Sequence, residues 1–476
     1  MYSSQPALRA KQVIHCFTIA SKNLVLDIES GSLHQVDDAM LTVLNDINKQ
    51  IESSGASAVT TEAFLCASFE MQSEISTLIN AGLLFSMKKG TENSTKDSNS
   101  INEYMKNRRP VVKALCLHMA HECNLRCAYC FAGDGTYFHE LGTDRGLMPL
   151  DVGKKALDFL ILHSGTRHNL EVDFFGGEPM LNFNVVKKLL EYGRSREAET
   201  GKKFRFTLTT NGSLLTDEAN QYINQHFDNV VLSLDGRQCT NDRMRKMHNG
   251  SGSYSQVLPK IKAFADSRNH KNYYVRGTFT RHNPDFAADV LHLAECGFKH
   301  ISVEPVVAPQ EAEYSLRKED LPELFLEYEK LAVALVEREY TGQRVHFFHF
   351  EMDLSGGPCL AKRITGCGAG SEYLAVTPSG KLYPCHQFVG DEKFQIGDLT
   401  TGVTKTGLIE EFSACNVFSK PECMGCWARY YCSGGCMATA YHTHGDILKP
   451  EWVSCELQRK RVECALYVFS ERAEKE

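Results

Sequence analysis

An α/β fold built on a parallel sheet is what the middle of this sequence predicts, with a small mixed module before it and a metal-stapled segment after it. Three observations carry that expectation. Between residues 111 and 342, six strand-like runs alternate with six helix-like runs, the pattern of consecutive βα units. A polar, charged stretch without apolar period, KKGTENSTKDSNSINEYMKNRR, sets the first module apart. Beyond residue 344 periodicity fades while Gly, Pro and Cys become dense, as in GGPC, GCGAG, PECMGC and CSGGC. Such a segment relies on metal staples in place of a large core. The expected organisation is a module at 1–87, a linker at 88–109, an α/β domain at 110–343 and a Cys-rich domain at 344–476. That division suits a chain of 476 residues at roughly 150 residues per domain.

Within the first module, residues 15–20, 24–28 and 33–36 read as strands, the last two joined by the turn ESGS. Met40, Val43, Leu44, Ile47 and Ile51 fall at helical spacing. Thr60 or Thr61 caps a second helix, and a third at 73–81 stops at Gly82 before a strand-like 83–86. Three strands, three helices and a returning strand resemble a winged helix. In the α/β domain, strands are expected at 112–118, 170–175, 205–210, 230–234, 274–280 and 301–306. Helices are expected near 150–163, 183–198, 216–226, 254–266, 286–296 and 319–340. Six such units make a parallel sheet, doubly wound or curled into an open barrel, and either way chemistry collects at the carboxyl ends of the strands.

Composition excludes several classes. With 42% hydrophobic and 23% charged residues, the chain is neither wholly disordered nor a membrane bundle. No apolar run approaches the ~18 residues of a spanning helix, and the start, MYSSQPALRAKQ, lacks the apolar core of a signal peptide. The expected location is cytoplasmic, with no membrane partner. A net charge of -7 without any concentrated basic face argues against nucleic acid. The anomaly is 18 cysteines, which in a reducing compartment read as metal ligands rather than disulfides. Cys123, Cys127 and Cys130 sit together. Cys359, Cys367, Cys385, Cys423, Cys426, Cys432, Cys436 and Cys455 gather near the C-terminus. Cys16, Cys66, Cys116, Cys239, Cys296, Cys415 and Cys464 are scattered, and are expected to be small buried hydrophobes.

After the first expected strand comes HECNLRCAYCFAG, spaced Cys-x3-Cys-x2-Cys. Three thiolates on a tight loop can bind three irons of a 4Fe-4S cube and leave the fourth open to a non-protein ligand. Zinc prefers four closed ligands, and His118 and His121 lie near enough to keep it as the alternative. The motif resembles that of the radical S-adenosylmethionine (SAM) enzymes, and companion motifs stand at the other strand ends. The resemblance implies a partial (β/α)6 barrel in which Cys123, Cys127 and Cys130 hold the catalytic cluster. Gly176, Gly177, Glu178 and Pro179 resemble the family's GGEP, which holds the SAM amino group; a plain Gly-Gly turn is the simpler alternative. Asn211 in Thr209-Thr210-Asn211-Gly212, with Ser233 and Asp235 in Ser233-Leu234-Asp235-Gly236, would serve the ribose and methionine portions. Arg245 would pair with the SAM carboxylate, a bidentate task that suits guanidinium. Tyr129 and Phe131 would flank the adenine. The implied chemistry is electron transfer from an external donor through the cluster into SAM. The resulting 5'-deoxyadenosyl radical removes hydrogen from a substrate that the protein positions and shields from water.

The C-terminal cysteines follow Cys367-x12-Gly380-x4-Cys385, then Cys423-x2-Cys426-x5-Cys432-x3-Cys436, then Cys455. This resembles the SPASM domain, whose two auxiliary 4Fe-4S clusters would bring the total to three. The first would take Cys359, Cys367, Cys385 and Cys436, and the second Cys423, Cys426, Cys432 and Cys455. Cys359 lies outside the seven-cysteine pattern, and some relatives leave that cluster open for substrate. The stretches HCFTIASKNLVLDIESGSLHQVDDAMLTVL and GGPCLAKRITGCGAGSEYLAVTPSGKLYPCHQFVGDEKFQIGDL resemble maturases of the SCIFF or ranthipeptide type. Those install thioether cross-links in ribosomally synthesised, Cys-rich precursor peptides. The N-terminal module would then recognise the peptide's leader by adding it as a strand to an exposed sheet edge. A DNA-binding role is disfavoured, because acids outnumber bases throughout residues 37–81. Two alternatives differ in class: a formylglycine-generating maturase of sulfatase type, to which the N-terminal module is extra, and a non-enzymatic zinc-stapled scaffold.

Overall fold

The computed structural model describes residues 13–86, 111–130, 146–352 and 364–474; the linker expected at 88–109, Phe131 and Cys359 lie outside the described residues. The first module opens with an antiparallel sheet in the order β1 (Ile14–Ile19), β2 (Lys22–Asp27), β3 (Leu33–Val36). The β1–β2 turn is a two-residue one whose central residues, Ala20 and Ser21, both have positive φ (49° and 65°). That conformation matches the twist of a hairpin although neither residue is glycine. Helix α1 (Asp38–Ser54) starts at Asp37, which accepts from the Met40 amide, and ends at Gly55 with φ 67°. Thr61 caps α2 (Glu62–Leu65). Helix α3 (Phe69–Asn80) begins before the expected residue 73, because Ser68 accepts from the Met71 amide and caps it there. Residues 83–86 are not a strand. Phe85 has φ 46°, the Leu83 carbonyl meets His34 Nε2 at 2.8 Å, and the Ser86 amide donates to Asp27 at 2.8 Å. Side chains fix this segment in place of a ladder.

The central domain runs β4 (Ala114–Ala120), β5 (Leu125–Cys127), α4 (Leu150–His163), β6 (Asn169–Gly176), α5 (Phe183–Thr200), β7 (Lys203–Thr210), α6 (Asp217–His226) and β8 (Asn229–Ser233). It continues through α7 (Gln238–Met244), β9 (Arg245–Met247), α8 (Tyr254–Ser267), β10 (Tyr273–Phe279), α9 (Phe286–Glu295), β11 (His300–Pro305), α10 (Leu321–Tyr340) and β12 (His346–Phe347). The expected strands and helices are all present. Strands pair in parallel in the order β12-β11-β10-β8-β7-β6-β4. This order never reverses along the chain, so the sheet has no switch point of the doubly wound kind. Its strands alternate as well. Leu170, Val172 and Phe174 of β6 and Phe204, Phe206 and Leu208 of β7 are fully buried, while Asp173, Phe175, Thr207 and Thr209 take the opposite face. Helices cover one face and the other is a polar lumen, which is the open barrel.

The Cys-rich segment adds what its composition did not show. Strand β13 (Tyr373–Val376) pairs in parallel with β4, and β14 (Lys381–Tyr383), β15 (Gly397–Asp398) and β16 (Gly402–Val403) follow antiparallel, extending the sheet to 11 strands. Helices α11 (Thr406–Ala414), α12 (Pro421–Met424), α13 (Arg429–Cys432), α14 (Met437–His444) and α15 (Trp452–Ala473) complete it. No helix among the described residues is long and apolar enough to cross a membrane. Of the scattered cysteines, Cys116, Cys415 and Cys464 are buried and Cys16 and Cys296 half-buried. Cys66 and Cys239 are exposed, contrary to expectation, because one ends the short α2 and the other opens α7 at the surface.

The N-terminal sheet is covered on both faces. Ile14 and Val25 pack with Met40, Leu44 and Ile47 of α1. Phe17, Ile19, Leu24, Leu26 and Ile28 belong to the core of the main body. Polar contacts frame that seam: His15 stacks on Trp427 with centroids 3.7 Å apart and meets Glu463 of α15 at 2.8 Å, and Lys22 reaches Glu471 at 2.5 Å. Because the two share a core, they should unfold together. Leu24→Ala should cost about 2–5 kcal/mol and lower one common transition in calorimetry; two transitions, of which only the smaller moves, would contradict the shared core.

Candidate active site

Beyond β4 the chain enters the three-cysteine loop, which is held by its neighbours. Strand β5 pairs antiparallel with β9 in the register Leu125↔Met247, Arg126↔Lys246, Cys127↔Arg245. The ladder therefore sets Arg245 opposite Cys127. Arg245 Nε lies 3.0 Å from Asp235 Oδ1, and its guanidinium carbon is 5.5 Å from the centre of the Tyr129 ring. The Tyr129 hydroxyl donates to Asp235 Oδ2 at 2.6 Å, and the Thr278 amide donates to Asp235 Oδ1 at 2.9 Å. Asp235 is fully buried, so its carboxylate serves protein donors that fix Tyr129 and Arg245. Cys123 Sγ accepts from the Leu125 amide at 3.4 Å and from Asn211 Nδ2 at 3.6 Å. Its carbonyl meets His248 Nε2 at 2.8 Å. Burial pushes the Cys123 and Cys127 thiols up to about 12, with Arg245 drawing Cys127 back. Thiolates here need a stronger cationic partner, as a metal would provide.

The Gly-Gly-Glu-Pro segment ends β6 against that loop. The Gly177 amide donates to the Ala120 carbonyl at 2.7 Å and the Glu178 amide to the Glu122 carbonyl at 2.9 Å. A Cβ on Gly177 would lie 2.1 Å from the Glu122 carbonyl oxygen, and one on Gly176, whose φ is 112°, 2.3 Å from that of Ala120. Only glycine allows such contact. Glu178 is buried and accepts from Thr210 Oγ1 at 2.7 Å, the Asn211 amide at 2.8 Å and the Met180 amide at 3.0 Å. Burial raises its carboxyl to about 7, with those donors pulling the other way. Pro179 opens a short 3-10 turn, and Ser233 closes β8, half-buried. Motifs from the ends of β4, β6, β7 and β8 are thus brought together, while β5–β9, Asn124 and His248 are contributors that motif reading did not find.

Near the other end of the chain, burial raises the Cys367 and Cys385 thiols, and the neighbouring Cys436 adds to both electrostatically. Burial likewise raises Cys423, Cys432 and Cys455, with Cys426 close enough to each to add to it. The structure therefore gathers the interleaved cysteines into two groups. Among the described residues no three His, Cys, Asp or Glu side chains converge on a single-ion centre. A cavity of about 250 Å³ lies between Glu304 at the end of β11, Arg461 of α15, and Cys432, Gly434, Gly435, Cys436 and Cys455. It connects both groups with the barrel mouth. The lumen beneath is polar: Arg276 meets Glu304 at 2.9 Å, Tyr373 meets His386 at 3.4 Å, and burial raises Asp173 to about 7.

Residues 117–294 match the Radical SAM superfamily. The barrel is a radical SAM domain. Over 460 residues, 90% of this chain and 89% of the relative, the sequence is 20% identical to the radical SAM cyclopropyl synthase TigE of Paramaledivibacter caminithermalis. Over 352 residues, 69% of this chain and 89% of the relative, it is 26% identical to a cysteine-type anaerobic sulfatase-maturating enzyme of Clostridium perfringens. Among solved structures, native anSMEcpe with bound AdoMet and Cp18Cys peptide superposes with a TM-score of 0.63 at 22% identity, over 76% of this chain and 99% of that one. This likeness establishes the fold.

The seam between the two loops should tolerate no added atom. Gly177→Ala should cost about 1–3 kcal/mol by overpacking and reduce the iron retained by the radical SAM domain. Gly407→Ala, where a Cβ meets nothing within 4 Å, should do neither; thermal melts and iron counts on the two variants check this.

Proposed function

We propose that this chain is a peptide maturase that joins a Cys sulfur to a carbon of an acceptor residue, forming thioether cross-links in a ribosomally synthesised, Cys-rich precursor peptide. The observation that carries this reading is the placement of two thiol groups around a cavity at the mouth of the radical SAM barrel. Cys123, Cys127 and Cys130 would hold one 4Fe-4S cluster. Cys367, Cys385 and Cys436 with Cys359 would hold a second, and Cys423, Cys426, Cys432 and Cys455 a third. When bound, SAM and these clusters supply the hydrogen-abstracting 5'-deoxyadenosyl radical and a sink for the electron released as the C–S bond forms.

The chain's own residues do the rest. Glu178, already fixed by Thr210 and Asn211, would accept the SAM ammonium, with Gly176, Gly177 and Pro179 shaping the bay. Asn211 and Ser233 would face the ribose and methionine portions, and Phe131 the adenine. Asp235 would act one step removed, holding Tyr129 and Arg245 against the SAM space. Each cross-link removes one hydrogen atom from the acceptor carbon, one proton from the sulfur and one electron. The lumen's carboxylates and histidines offer places for that proton. Strand β3, paired on one side only with β2, is the edge on which a leader would add as a strand.

A sulfatase-type maturase is the second reading, supported by the 26% identity to the Clostridium perfringens enzyme. The full-length similarity to a cyclopropyl synthase brings in carbon-carbon closure as a third outcome. Incubating the reconstituted enzyme, SAM and a reductant with a Cys-rich precursor should yield a product lighter by two hydrogens per cross-link. One alkylatable thiol should disappear with each. The same mass loss with all thiols still alkylatable would favour ring closure between carbons, and a product carrying an aldehyde would favour the sulfatase type.

Glu178 also makes SAM binding pH-dependent. With its free-state carboxyl near 7, it is protonated below that value and anionic above. SAM affinity should therefore fall as pH drops below about 7, by about tenfold per unit, and level off above. In Glu178→Gln, binding should be weaker and flat with pH over the same interval, as equilibrium dialysis with labelled SAM would show.

A further inference from the structure

Charge is distributed unequally around the two C-terminal thiol groups. Three cations face the second. Lys420 lies beside Cys423, Arg459 donates to the Cys426 sulfur, and Arg461 lies beside Cys432. Lys420 is 1% exposed, and its ammonium donates to the Gly434 carbonyl at 2.7 Å. Arg461 donates to His349 Nδ1 at 3.0 Å and to the Gln458 side-chain carbonyl; burial keeps that histidine neutral. Among the described residues neither Lys420 nor Arg461 has a carboxylate within ion-pair distance, and only Arg459 does, in Glu456. Glu304, which lines the same cavity as Arg461, is committed to Arg276 at 2.9 Å. The Arg459 Nε is buried without an acceptor.

The first group is different. Its nearby cation, Lys113, which acts on Cys367, is neutralised by Glu372 at 2.5 Å. Buried positive charge without a counter-charge is costly and persists only beside an anion. Lys420 is buried and Arg461 half-buried without a carboxylate at the second group, and Arg459 has a spare N–H there. A cluster held by four thiolates is the anion that this set of donors suits. Cluster potentials follow net charge and hydrogen bonds to sulfur, and cations stabilise the more negative, reduced state.

We infer that Lys420, Arg459 and Arg461 form a cationic cage around the second auxiliary cluster and set its reduction potential above that of the first. This rests on the reading of the C-terminal cysteines as two auxiliary clusters. The test uses the full-length chain reconstituted with iron and sulfide, with Cys123, Cys127 and Cys130 replaced by Ala so that only auxiliary signals remain. Redox titration followed by electron paramagnetic resonance should resolve two midpoints, and Cys455→Ser should perturb the higher. Lys420→Met and Arg461→Met should each lower that midpoint, so that about tenfold less of the cluster is reduced at a fixed poise, about 59 mV for one electron. The lower midpoint should stay put, and Lys420→Arg and Arg461→Lys should preserve both. If Lys420→Met does not fold, Arg461→Met decides alone, since its guanidinium bonds only to neutral side chains. Bound clusters whose midpoints do not move, or move together, overturn the inference by itself. Absence of cluster iron in the parent background overturns the proposed function along with it.

Discussion

Two main-chain hydrogen bonds, from Gly177 to Ala120 and from Glu178 to Glu122, fix the geometry on which the radical SAM domain depends. The cysteine loop beyond β4 has little regular structure, so its shape is imposed from outside. The Gly-Gly-Glu-Pro segment presses close enough that no side chain fits between the two. Once it is there, Glu178 is buried with its oxygens turned to Thr210 and Asn211, and Asn211 in turn reaches Asn124 at 2.8 Å and the Cys123 sulfur. The ends of three adjacent strands are thereby tied to one loop. Such a network is satisfied as a whole or not at all, which is why the motif residues are contiguous in space though spread over about 90 positions.

Charge is the second constraint. A thiol buried like Cys123 or Cys127 stays protonated to about 12, and yet a metal ligand must be a thiolate. Arginine answers this at both ends of the molecule: Arg245 opposite Cys127 through the β5–β9 register, and Arg459 at Cys426. Guanidinium remains charged when buried and offers several donors in fixed directions, so it can hold a carboxylate with one edge and face sulfur with another. Arg245 does this with Asp235, and Arg459 with Glu456.

The parts legible in the sequence were those with a strong local signal. The barrel strands carry alternating apolar residues, so the order of the βα units could be read directly. The cysteine spacings and the glycines of the Gly-Gly-Glu-Pro turn were visible for the same reason. What escaped depends on partners far away in the chain. Strand β5 has three residues, too few for a period, and exists because β9 lies beside it some 120 residues later. Strands β13 to β16 have two to four residues each, and β13 is a strand because β4 offers an open edge. Residues 83–86 have strand composition, but Asp27 and His34 capture their backbone first. The pairing of Asp235 with Tyr129 was hidden too, since a motif names a carboxylate without saying which donors reach it.

The N-terminal sheet shows how such long-range partners alter a functional expectation. Its sequence reads as a separable recognition module, yet Leu24 and Leu26 on β2 face the main body while Val25 between them faces α1. A strand buried on both faces cannot be lifted away without exposing apolar surface on both sides. The β2–β3 turn carries the coupling further. Glu29 pairs there with Arg429, which is 4% exposed and donates its other edge to the Cys426 carbonyl at 3.0 Å. A leader strand added at the free edge of β3 would join the sheet whose turn touches the second thiol group. The N-terminal sheet and the C-terminal cysteines therefore form one mechanical unit, linked through a buried arginine that neither end of the chain could have placed alone.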